Sequence, residues 1–373
     1  MSKINDLIKE MCPNGVEYEL LKDVSEMKRG QSITTKNLNV GKIPVIAGGQ
    51  EPFFYNDKYN REGEAITVSS SGAYAGFLNY WNEPILCTDS FSIKTKKLNM
   101  RYLYHYLKMK QNEIYNKKKG AGIPHVRISD LEKFKIPCPP LKVQEEIVKI
   151  LDKFGELEAE LEAELEARKS QYEFWRGKLL NKKNNNYKKY NITEICKSIS
   201  AGGDVPEDTI KGISKPQDDY KYPVISNGVG DNAIYGYSKN YRVDVQACVT
   251  IAARGTIGYH EVRYGKFTPI IRLITLIPDE KIISAKYLHY ALYGHEFKPS
   301  GGGIPQLTTP TVKQLDLIIP PVEEQNRIVG ILDKFDKLVN DITDGLPAEI
   351  ELRRKQYEYY RNKLLNFEDI QYE

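Results

Sequence analysis

The sequence lacks the short motifs with which most enzymes hold a cofactor. It contains no phosphate-binding P-loop, and Gly228-Val229-Gly230 alone is too short to be a glycine fingerprint for an adenosyl or nicotinamide cofactor. The Asn/Asp-Pro-Pro-aromatic signature of amino-methyltransferases is missing as well, since Cys138 or Ile319 precedes each Pro-Pro pair. These absences argue against nucleotide hydrolysis, hydride transfer and methyl transfer by the chain itself.

Cysteine and histidine are scarce and scattered. The five cysteines stand singly without any Cys-x-x-Cys pair, which excludes a disulfide framework and a zinc knuckle and is typical of the reducing cytoplasm. His289 and His295 have no ligand-like neighbours, so we predict no metal site. No apolar run is long enough to span a bilayer and no signal peptide is evident, so we expect a cytoplasmic protein.

One weak metal pattern is present. Pro278-Asp279 followed by Glu296-Phe297-Lys298 fits the loose Pro-Asp…Glu-x-Lys pattern of nucleases, in which carboxylates hold Mg²⁺. The pattern is short and frequent by chance, Glu296 falls at the end of a predicted helix rather than on a strand, and the first half of the chain has no equivalent. A Mg²⁺-dependent nuclease therefore stays only as a minor alternative.

Two stretches of the chain occur twice. Residues 136–154 and 317–335 are identical at 10 of 19 positions, with an offset of 181 residues and no gap. Residues 168–180 return at 353–365 with 8 of 13 identities and an offset of 185. A period this long is outside the range of solenoid repeats. We infer two copies of a unit made of one domain and one long helix.

The repeated stretches predict long helices. Apolar residues recur at three- and four-residue steps through 147–165, and the Leu-Glu-Ala-Glu units of 157–168 are strong helix formers that predict a spacer rod. In the second copy, Gly345-Leu346-Pro347 predicts a kink or a break. Because a narrow apolar stripe cannot be buried by one helix alone, we expect the two helices to pack against each other in antiparallel fashion. The residues predicted to pair the helices and to dock partner subunits are Ile147, Leu151, Phe154, Leu157, Leu161, Leu165, Trp175, Ile328, Leu332, Phe335 and Tyr360.

The remaining sequence predicts two domains of one fold. Short apolar runs at 43–46 and 65–68 lie between turn signals, and runs at 222–225 and 249–252 repeat this order. Between these anchors the two halves differ almost everywhere, so we expect a shared scaffold with different contacts. We predict an α+β fold, in which two similar α/β domains are separated by two long antiparallel coiled-coil helices in a pseudo-two-fold internal repeat. The predicted boundaries are 1–140 for the first domain, 141–182 for the first helix, 183–321 for the second domain, 322–366 for the second helix and 367–373 for an acidic tail.

The net charge of +4 is unevenly distributed. Residues 144–180, residues 323–366 and the tail together contain eight more acidic than basic residues, which leaves +12 on the rest of the chain. Basic domains are suited to a polyanion, whereas mildly acidic helices are suited to protein partners. Chance scatter of charge remains the alternative.

Basic and small polar residues cluster in the loops beside the strand anchors. Arg, Gln, Asn and Ser can read base edges in the major groove, and Lys can hold phosphates, although many such residues simply solvate turns. The residues predicted to contact DNA are Lys28, Arg29, Gln31, Ser32, Ser69, Ser70, Ser71, Tyr74, Lys117, Lys118, His125 and Arg127 in the first domain, and Lys211, Asn227, Arg254, Thr256, Lys298, Gln306, Thr308 and Thr309 in the second.

Together these motifs resemble a known family. Gly-Ile-Pro occurs before each helix, at 122–124 and 303–305, and is followed by the repeated Pro-Pro-x-x-x-Gln-x-x-Ile-Val-x-Ile-Leu-Asp pattern. This arrangement, together with the opening Leu-Ile-Lys-Glu-Met-Cys-Pro-Asn-Gly-Val-Glu-Tyr of 7–18, is similar to the specificity subunit of type I restriction–modification systems. The Leu-Glu-Ala-Glu units resemble the tandem four-residue repeats of the central spacer in such subunits.

The resemblance implies a DNA-binding subunit with no catalysis and no cofactor of its own. Each target-recognition domain would read one half of an asymmetric, bipartite site in double-stranded DNA, and the paired helices would set the gap. Two modification subunits that use S-adenosylmethionine, and restriction subunits that use ATP and Mg²⁺, would be its partners. A free-standing sequence-specific DNA-binding protein and a coiled-coil scaffold remain alternatives.

Overall fold

The computed structural model describes residues 2–33, 39–120, 122–181, 186–293, 295, 297 and 305–369. The chain divides into two compact units, one formed by Met1–Ala163 with Glu349–Glu373 and the other by Glu164–Ala348. Each unit holds one domain of mixed strands and helices together with segments of the long helices. Among the helices of the described residues, none has the length and apolar character that crossing a membrane requires.

The first unit consists of short strands with small helices between them, and it also contains the start of the long helix of the first repeated block and the end of the helix of the second. Its elements in chain order are α1 (Ser2–Met11), β1 (Tyr18–Leu20), α2 (Leu21–Val24), β2 (Glu26–Arg29), β3 (Ile43–Ile46), β4 (Phe54–Asn56), β5 (Ala65–Ser69), β6 (Leu78–Trp81), β7 (Leu86–Cys87), β8 (Ser90–Lys94), α3 (Met100–Met109), α4 (Gln111–Tyr115), α5 (Ile128–Leu131), β9 (Lys135–Pro137) and the start of α6 (Leu141–Leu180). Lys110 (φ −86°, ψ 11°) leaves the helical region and separates α3 from α4.

The second unit repeats this order, with longer strands. Its elements are the end of α6, β10 (Lys188–Asn191), α7 (Ile192–Ile195), β11 (Cys196–Ala201), β12 (Ile210–Lys211), β13 (Tyr222–Ile225), β14 (Ile234–Ser238), β15 (Val243–Ala252), β16 (His260–Pro269), β17 (Leu273–Pro278), α8 (Ala285–Leu292), α9 (Thr309–Val312), β18 (Asp316–Ile319), α10 (Val322–Asn340) and the start of α11 (Leu346–Leu365). The predicted break in the second helix is confirmed, since α10 ends at Asn340 and α11 begins at Leu346. Pro347 is tolerated there because it lies in the first turn of α11, where its missing N–H has no partner to lose.

The two domains share one strand order. In the first, β2, β8, β5 and β6 are neighbours, and in the second, β11, β17, β15 and β16 are neighbours in the same sequence. Each domain also has a parallel strand pair, with Val45 opposite Leu86 in the first and Val224 opposite Thr268 in the second. All five residues of β5 are buried, which fits its central place and its apolar composition. The predicted α+β fold with an internal repeat is therefore confirmed.

The repeated glutamine connects each domain to its long helix. Gln144 is buried, donates to Pro139 O (2.7 Å) and accepts from the backbone N–H of Asn99 (2.8 Å), the N-cap residue of α3. Gln325 is also buried, donates to Pro320 O (3.0 Å) and accepts from the N–H of Ser284 (3.1 Å), the N-cap residue of α8. The identical glutamine thus orients the same domain helix in both units.

The repeated aspartate makes a second connection in the first unit. Asp152 on α6 accepts hydrogen bonds from Arg101 (2.6 Å) and from His105 Nε2 (2.7 Å) on α3, while His105 Nδ1 lies 3.2 Å from the Tyr357 hydroxyl on α11. Burial lowers the pKa of His105, so the neutral ring donates to Asp152 and accepts from Tyr357. Burial alone would raise the pKa of Asp152, but the hydrogen bonds from His105 and Arg101 outweigh it and lower the pKa to about 2.

Asp152→Asn is expected to destabilise the first unit by about 2 kcal/mol at neutral pH, because the lowered pKa measures how strongly the fold favours the carboxylate. Since the folded pKa lies below the ordinary 3.8, this stabilisation is complete above that value and is lost as the pH falls towards about 2. Hydrogen exchange of α3 peptides should therefore differ between wild type and variant at pH 6 and converge near pH 2. Glu145→Gln, an exposed change on the same helix, is the control, and a difference that persists at pH 2 would contradict the assignment.

Aromatic side chains join the long helices within each unit. In the first unit, Phe154 of α6 lies 6.4 Å from Tyr357 and 5.4 Å from Tyr360 of α11, between ring centroids. The guanidinium of Arg354 binds Glu158 (2.6 Å) and Glu162 (2.5 Å). Residues further along α6 therefore contact residues nearer the start of α11. This confirms that the two helices pack antiparallel in this unit.

The second unit uses the equivalent aromatic pair, with Tyr172 stacked 6.2 Å from Phe335. The other residues predicted to pair the helices fall into two groups. Those that are fully buried belong to the hydrophobic core of their own unit. Leu157, Leu161 and Leu165 are half-buried, and Trp175 is half-buried beneath the ammonium of Lys178 (4.9 Å). The fully buried residues are Ile147, Leu151, Ile328 and Leu332.

Candidate functional site

Polar side chains of the first domain gather at one end of the sheet. β2 and β5 end at this side with Arg29 and Ser69, and β8 begins there with Ser90, because β8 runs antiparallel to both. The segment after β2 is hydrogen-bonded to the start of β8 through Gly30 N–H to Ser90 O (2.8 Å) and to the end of β7 through Gln31 N–H to Cys87 O (3.0 Å). Lys28, Arg29, Gln31 and Ser32 are exposed here.

The lysine run and His125 join the same end through backbone pairing. Lys119 and His125 exchange two hydrogen bonds (3.0 and 2.8 Å), and Ser71 forms a bridge with His125. Lys118 Nζ donates to Ala73 O (3.1 Å) and lies 4.4 Å above the Tyr115 ring. The exposed residues of this part are Tyr74, Lys117, His125 and Arg127, whereas Ser70, Ser71 and Lys118 are half-buried.

A buried arginine supports this end of the sheet, and the sequence did not reveal it. Arg61 is 6% exposed, and its guanidinium donates to Lys28 O (3.1 Å), Arg29 O (2.7 Å) and Ser92 Oγ (2.6 Å), with a further bond to Asn60 O (2.7 Å). The planar guanidinium has five N–H donors, so it can bind several oxygen acceptors at once. Arg61 therefore fixes the backbone from which the Lys28 and Arg29 side chains project.

In the second domain, the predicted residues also meet at the strand ends. Asn227 Nδ2 donates to Arg254 O (2.6 Å), and the Thr256 hydroxyl donates to Asn227 O (3.1 Å). Arg254 lines a concavity of about 260 Å³, in which Gln306 faces it from the segment before α9. Thr308 and Thr309 line the same concavity, and Thr308 caps α9. Asn227 thus holds the loop of Arg254 with one of its two amide hydrogens.

Two predicted contacts, Ser69 and Lys211, do not join these groups. Ser69 is 4% exposed and its hydroxyl donates to Gly49 O (3.3 Å), so its prediction as a surface contact is wrong: the central strand β5 buries it. Lys211 lies on the edge strand β12, separated from β13 by β14, with its ammonium 5.6 Å above the Tyr235 ring. Lys298 lies outside the described residues, as do Glu296 of the nuclease-like pattern and Gly303-Ile304 of the repeated tripeptide.

Both domains build this end from the same backbone hydrogen bonds. Five bonds of the first domain have a counterpart in the second at equivalent strand positions, with donor–acceptor distances of 2.7–3.3 Å. The first-domain bonds are Gly30 N to Ser90 O, Gln31 N to Cys87 O, Ser70 N to Asp89 O, Thr88 N to Ile46 O and Val126 N to Ser70 O. Their counterparts are Gly202 N to Leu273 O, Gly203 N to Pro269 O, Ala253 N to Arg272 O, Ile270 N to Ile225 O and Leu307 N to Ala253 O.

This shared backbone frame carries different side chains in the two domains. Position by position, the first domain has Gln31, Ser71, Asp89, His125 and Arg127 where the second has Gly203, Arg254, Arg272, Gln306 and Thr308. We call these two sets the first and the second strand-end cluster. Asp89 and Arg272 were missed from the sequence, because the second domain has one extra residue, Ile271, just before this position and the two loops share no sequence pattern.

The fold and the two strand-end clusters define a class of protein: a duplicated binding protein that presents two different sets of polar side chains on one backbone frame. Among the described residues, no group of three or more His, Cys, Asp and Glu side chains is placed to hold a metal ion. The chain belongs to the type I restriction–modification specificity subunits, since the family model described as "Type I restriction modification DNA specificity domain" matches residues 13–167 and 184–352.

Individual relatives agree with the family match. A putative type I specificity subunit of Mycoplasma pneumoniae is 35% identical over 327 residues, which cover 83% of this chain and 95% of the relative. The specificity subunit of the type I restriction enzyme EcoR124I/EcoR124II of Escherichia coli is 32% identical over 308 residues, covering 74% of this chain and 73% of that protein. The fold is similar to the crystal structure of a type I specificity subunit from M. genitalium, with a TM-score of 0.63 and 16% sequence identity. The match covers 94% of this chain and 96% of that one.

Proposed function

We propose that this chain is the DNA-recognition subunit of a type I restriction–modification complex and binds an asymmetric, bipartite site in double-stranded DNA. The observation that supports this proposal best is the shared backbone frame of the two strand-end clusters. Both domains could then approach DNA in the same orientation, and their different side chains would contact different bases in the two halves of the target. Loops that carry such readers on a rigid scaffold are free to vary while the strands stay the same.

In this proposal the long helices set the gap between the half-sites and dock the other subunits. Phe174 and Tyr359 occupy equivalent positions of the repeated block, and each is 61% exposed on its helix. Large exposed aromatic side chains are typical of protein interfaces. Their repetition is consistent with two copies of one partner, namely the modification methyltransferase, with restriction subunits joining the assembly.

The chain itself has no catalytic role and no cofactor in this proposal. S-adenosylmethionine would be bound by the modification subunits, and ATP and Mg²⁺ by the restriction subunits. A free-standing DNA-binding protein is the second candidate, and the basic charge of the domains would suit it equally well. The two candidates differ in whether the chain co-purifies with a methyltransferase subunit.

The decisive experiment is single-molecule methylome sequencing of cells that express this chain with its methyltransferase subunit. Wild type is expected to give one bipartite methylated motif. Arg254→Ala is expected to relax one half-site by about 1–3 kcal/mol at the affected base and to leave the other half-site unchanged, because an arginine contact discriminates bases only where it reaches them.

Lys215→Ala, an exposed change in the second unit away from the strand-end cluster, is the matched control and should leave the motif intact. Absence of any bipartite motif would refute the proposed function. A uniform loss of methylation at every site with Arg254→Ala, without a change of motif, would instead assign Arg254 to phosphate binding or to folding.

A further inference from the structure

Asp89 and Arg272 occupy the same place in the shared backbone frame. Asp89 O accepts from the N–H of Ser70 (3.2 Å), and Arg272 O accepts from the N–H of Ala253 (2.8 Å), in each case immediately before the strand begins. Both side chains are exposed. One position of the frame therefore presents a carboxylate in the first domain and a guanidinium in the second.

Arg272 adopts a backbone conformation that its side chain disfavours. Its φ is 75°, in the left-handed region that glycine enters without strain and that other residues enter at a cost. The hydrogen bond from Ala253 and the pairing of the following Leu273 with Ala252 hold it there. An arginine in a conformation that glycine would satisfy better indicates that the guanidinium itself is used.

The surroundings of the two side chains differ in charge. Arg272 and Arg254 line one concavity with Gln306, Thr308 and Thr309, and none of the described residues that line it is acidic. In the first domain, the Ser71 hydroxyl donates to Asp89 Oδ2, which orients the carboxylate, and no hydrogen bond from a described residue occupies Oδ1. The second cluster thus offers donors, and the first offers an oriented acceptor.

On DNA these chemistries select different base edges. Guanine presents two acceptors, N7 and O6, in the major groove, and a guanidinium binds both at once. A carboxylate is repelled by phosphates and can be accommodated only where a base offers an amino group, as cytosine does at N4 and adenine at N6. A carboxylate at the same end of the sheet as the exposed Lys28 and Arg29 would therefore indicate which base lies opposite it.

We propose that Asp89 and Arg272 are specificity-determining residues: Asp89 selects a cytosine or adenine amino group in one half-site, and Arg272, beside Arg254, selects guanine in the other. This inference rests on the proposed function, because it assumes that the strand-end clusters face DNA. It goes further by naming the residues and the base class that each one reads.

The test is selection of binding sequences from a pool of random 40-base-pair duplexes with the full chain in complex with its methyltransferase subunit. Arg272→Gly is expected to lose the preference for guanine at one position of one half-site, roughly 10-fold or more. The same variant is expected to unfold at an equal or higher temperature, because glycine relieves the left-handed strain. Asp89→Asn is expected to change a cytosine or adenine position in the other half-site only.

Lys281→Ala, an exposed lysine of the second unit, is the control for loss of one positive charge and should leave both half-sites unchanged. Arg272→Lys keeps the charge without the fork, so overall binding should persist while the guanine preference falls. If wild type selects no motif, the proposed function fails. If wild type selects a bipartite motif that Arg272→Gly and Asp89→Asn leave intact, or if Arg272→Gly simply melts at a lower temperature, this inference fails while the proposed function stands.

Discussion

Deleting Leu161–Glu164 from α6 is expected to change the number of base pairs between the two half-sites by about one and to leave the bases of both half-sites unchanged. Four residues add about 6 Å of helix and about 40° beyond a full turn. One base pair adds about 3.4 Å of rise and about 36° of twist. One repeat unit and one base pair therefore turn by nearly the same angle, so the second domain would meet the same groove after the deletion.

The structure explains why α6 should tolerate this deletion. The helix is continuous from Leu141 to Leu180, and the deletion brings the Leu165-Glu166-Ala167-Arg168 unit into the vacated position. Glu166 then occupies the position of Glu162, one of the two carboxylates that bind Arg354. The leucine stripe would stay in register, and the ion pair with Arg354 would be restored at the same position.

Methylome sequencing or binding to duplexes with gaps of different length measures the result. Removing only three residues, 161–163, is the sharper control, because three residues turn the helix about 60° short of a full turn and put the leucine stripe out of phase. That variant should lose function rather than change the gap. Altered half-site bases, or an unchanged gap, after the four-residue deletion would refute the role of α6 as a spacer.

Arg61→Ala is expected to destabilise the strand-end region of the first domain by about 4–5 kcal/mol, three bonds at the low end of the range for a charged donor, and to abolish recognition of one half-site. The substitution removes the donors that Lys28 O, Arg29 O and Ser92 Oγ share, and hydrogen bonds from a charged donor contribute about 1.5–3 kcal/mol each. Without them, the backbone that carries Lys28 and Arg29 loses its fixed position. Arg61→Lys should rescue only partly, since an ammonium cannot reproduce the planar fork.

Hydrogen exchange of peptides that cover 26–31 measures the local effect, and sequence selection measures the loss of one half-site. Lys58→Ala, an exposed change near Arg61 in the sequence, should alter neither. Equal loss of both half-sites would show that the damage is global. Unchanged exchange at 26–31 would show that Arg61 does not hold this segment.

The internal repeat could be recognised in the sequence because the motifs that reveal it are each short and continuous along the chain. The Pro-Pro pairs, the identical Gln144 and Gln325, and the leucine steps predicted two long helices, and the structure confirms both helices and the break near Gly345. Strand anchors such as 43–46 and 222–225 were visible for the same reason, since short apolar runs between turn residues can be recognised without knowledge of distant contacts.

Individual site residues were much harder to predict. Ser69 and Ser71 are two positions apart and chemically identical, yet β5 buries Ser69 while Ser71 remains partly accessible beside Asp89. Asn227 has a side chain suited to adenine, yet its amide donates to Arg254 O. Composition and spacing cannot distinguish a side chain that binds a ligand from one that holds a loop.

The sequence by itself determined that the chain is a duplicated pair of domains joined to long helices, because helical periodicity and repeated identity depend on near neighbours. Only the tertiary structure decided which side chains share a site. Asp89 meets Ser71 across 18 positions and Arg61 meets Ser92 across 31, through strand pairings that no local pattern encodes. The alignment of Asp89 with Arg272 likewise emerges from equivalent backbone hydrogen bonds, since the side chains at these positions share neither size nor charge.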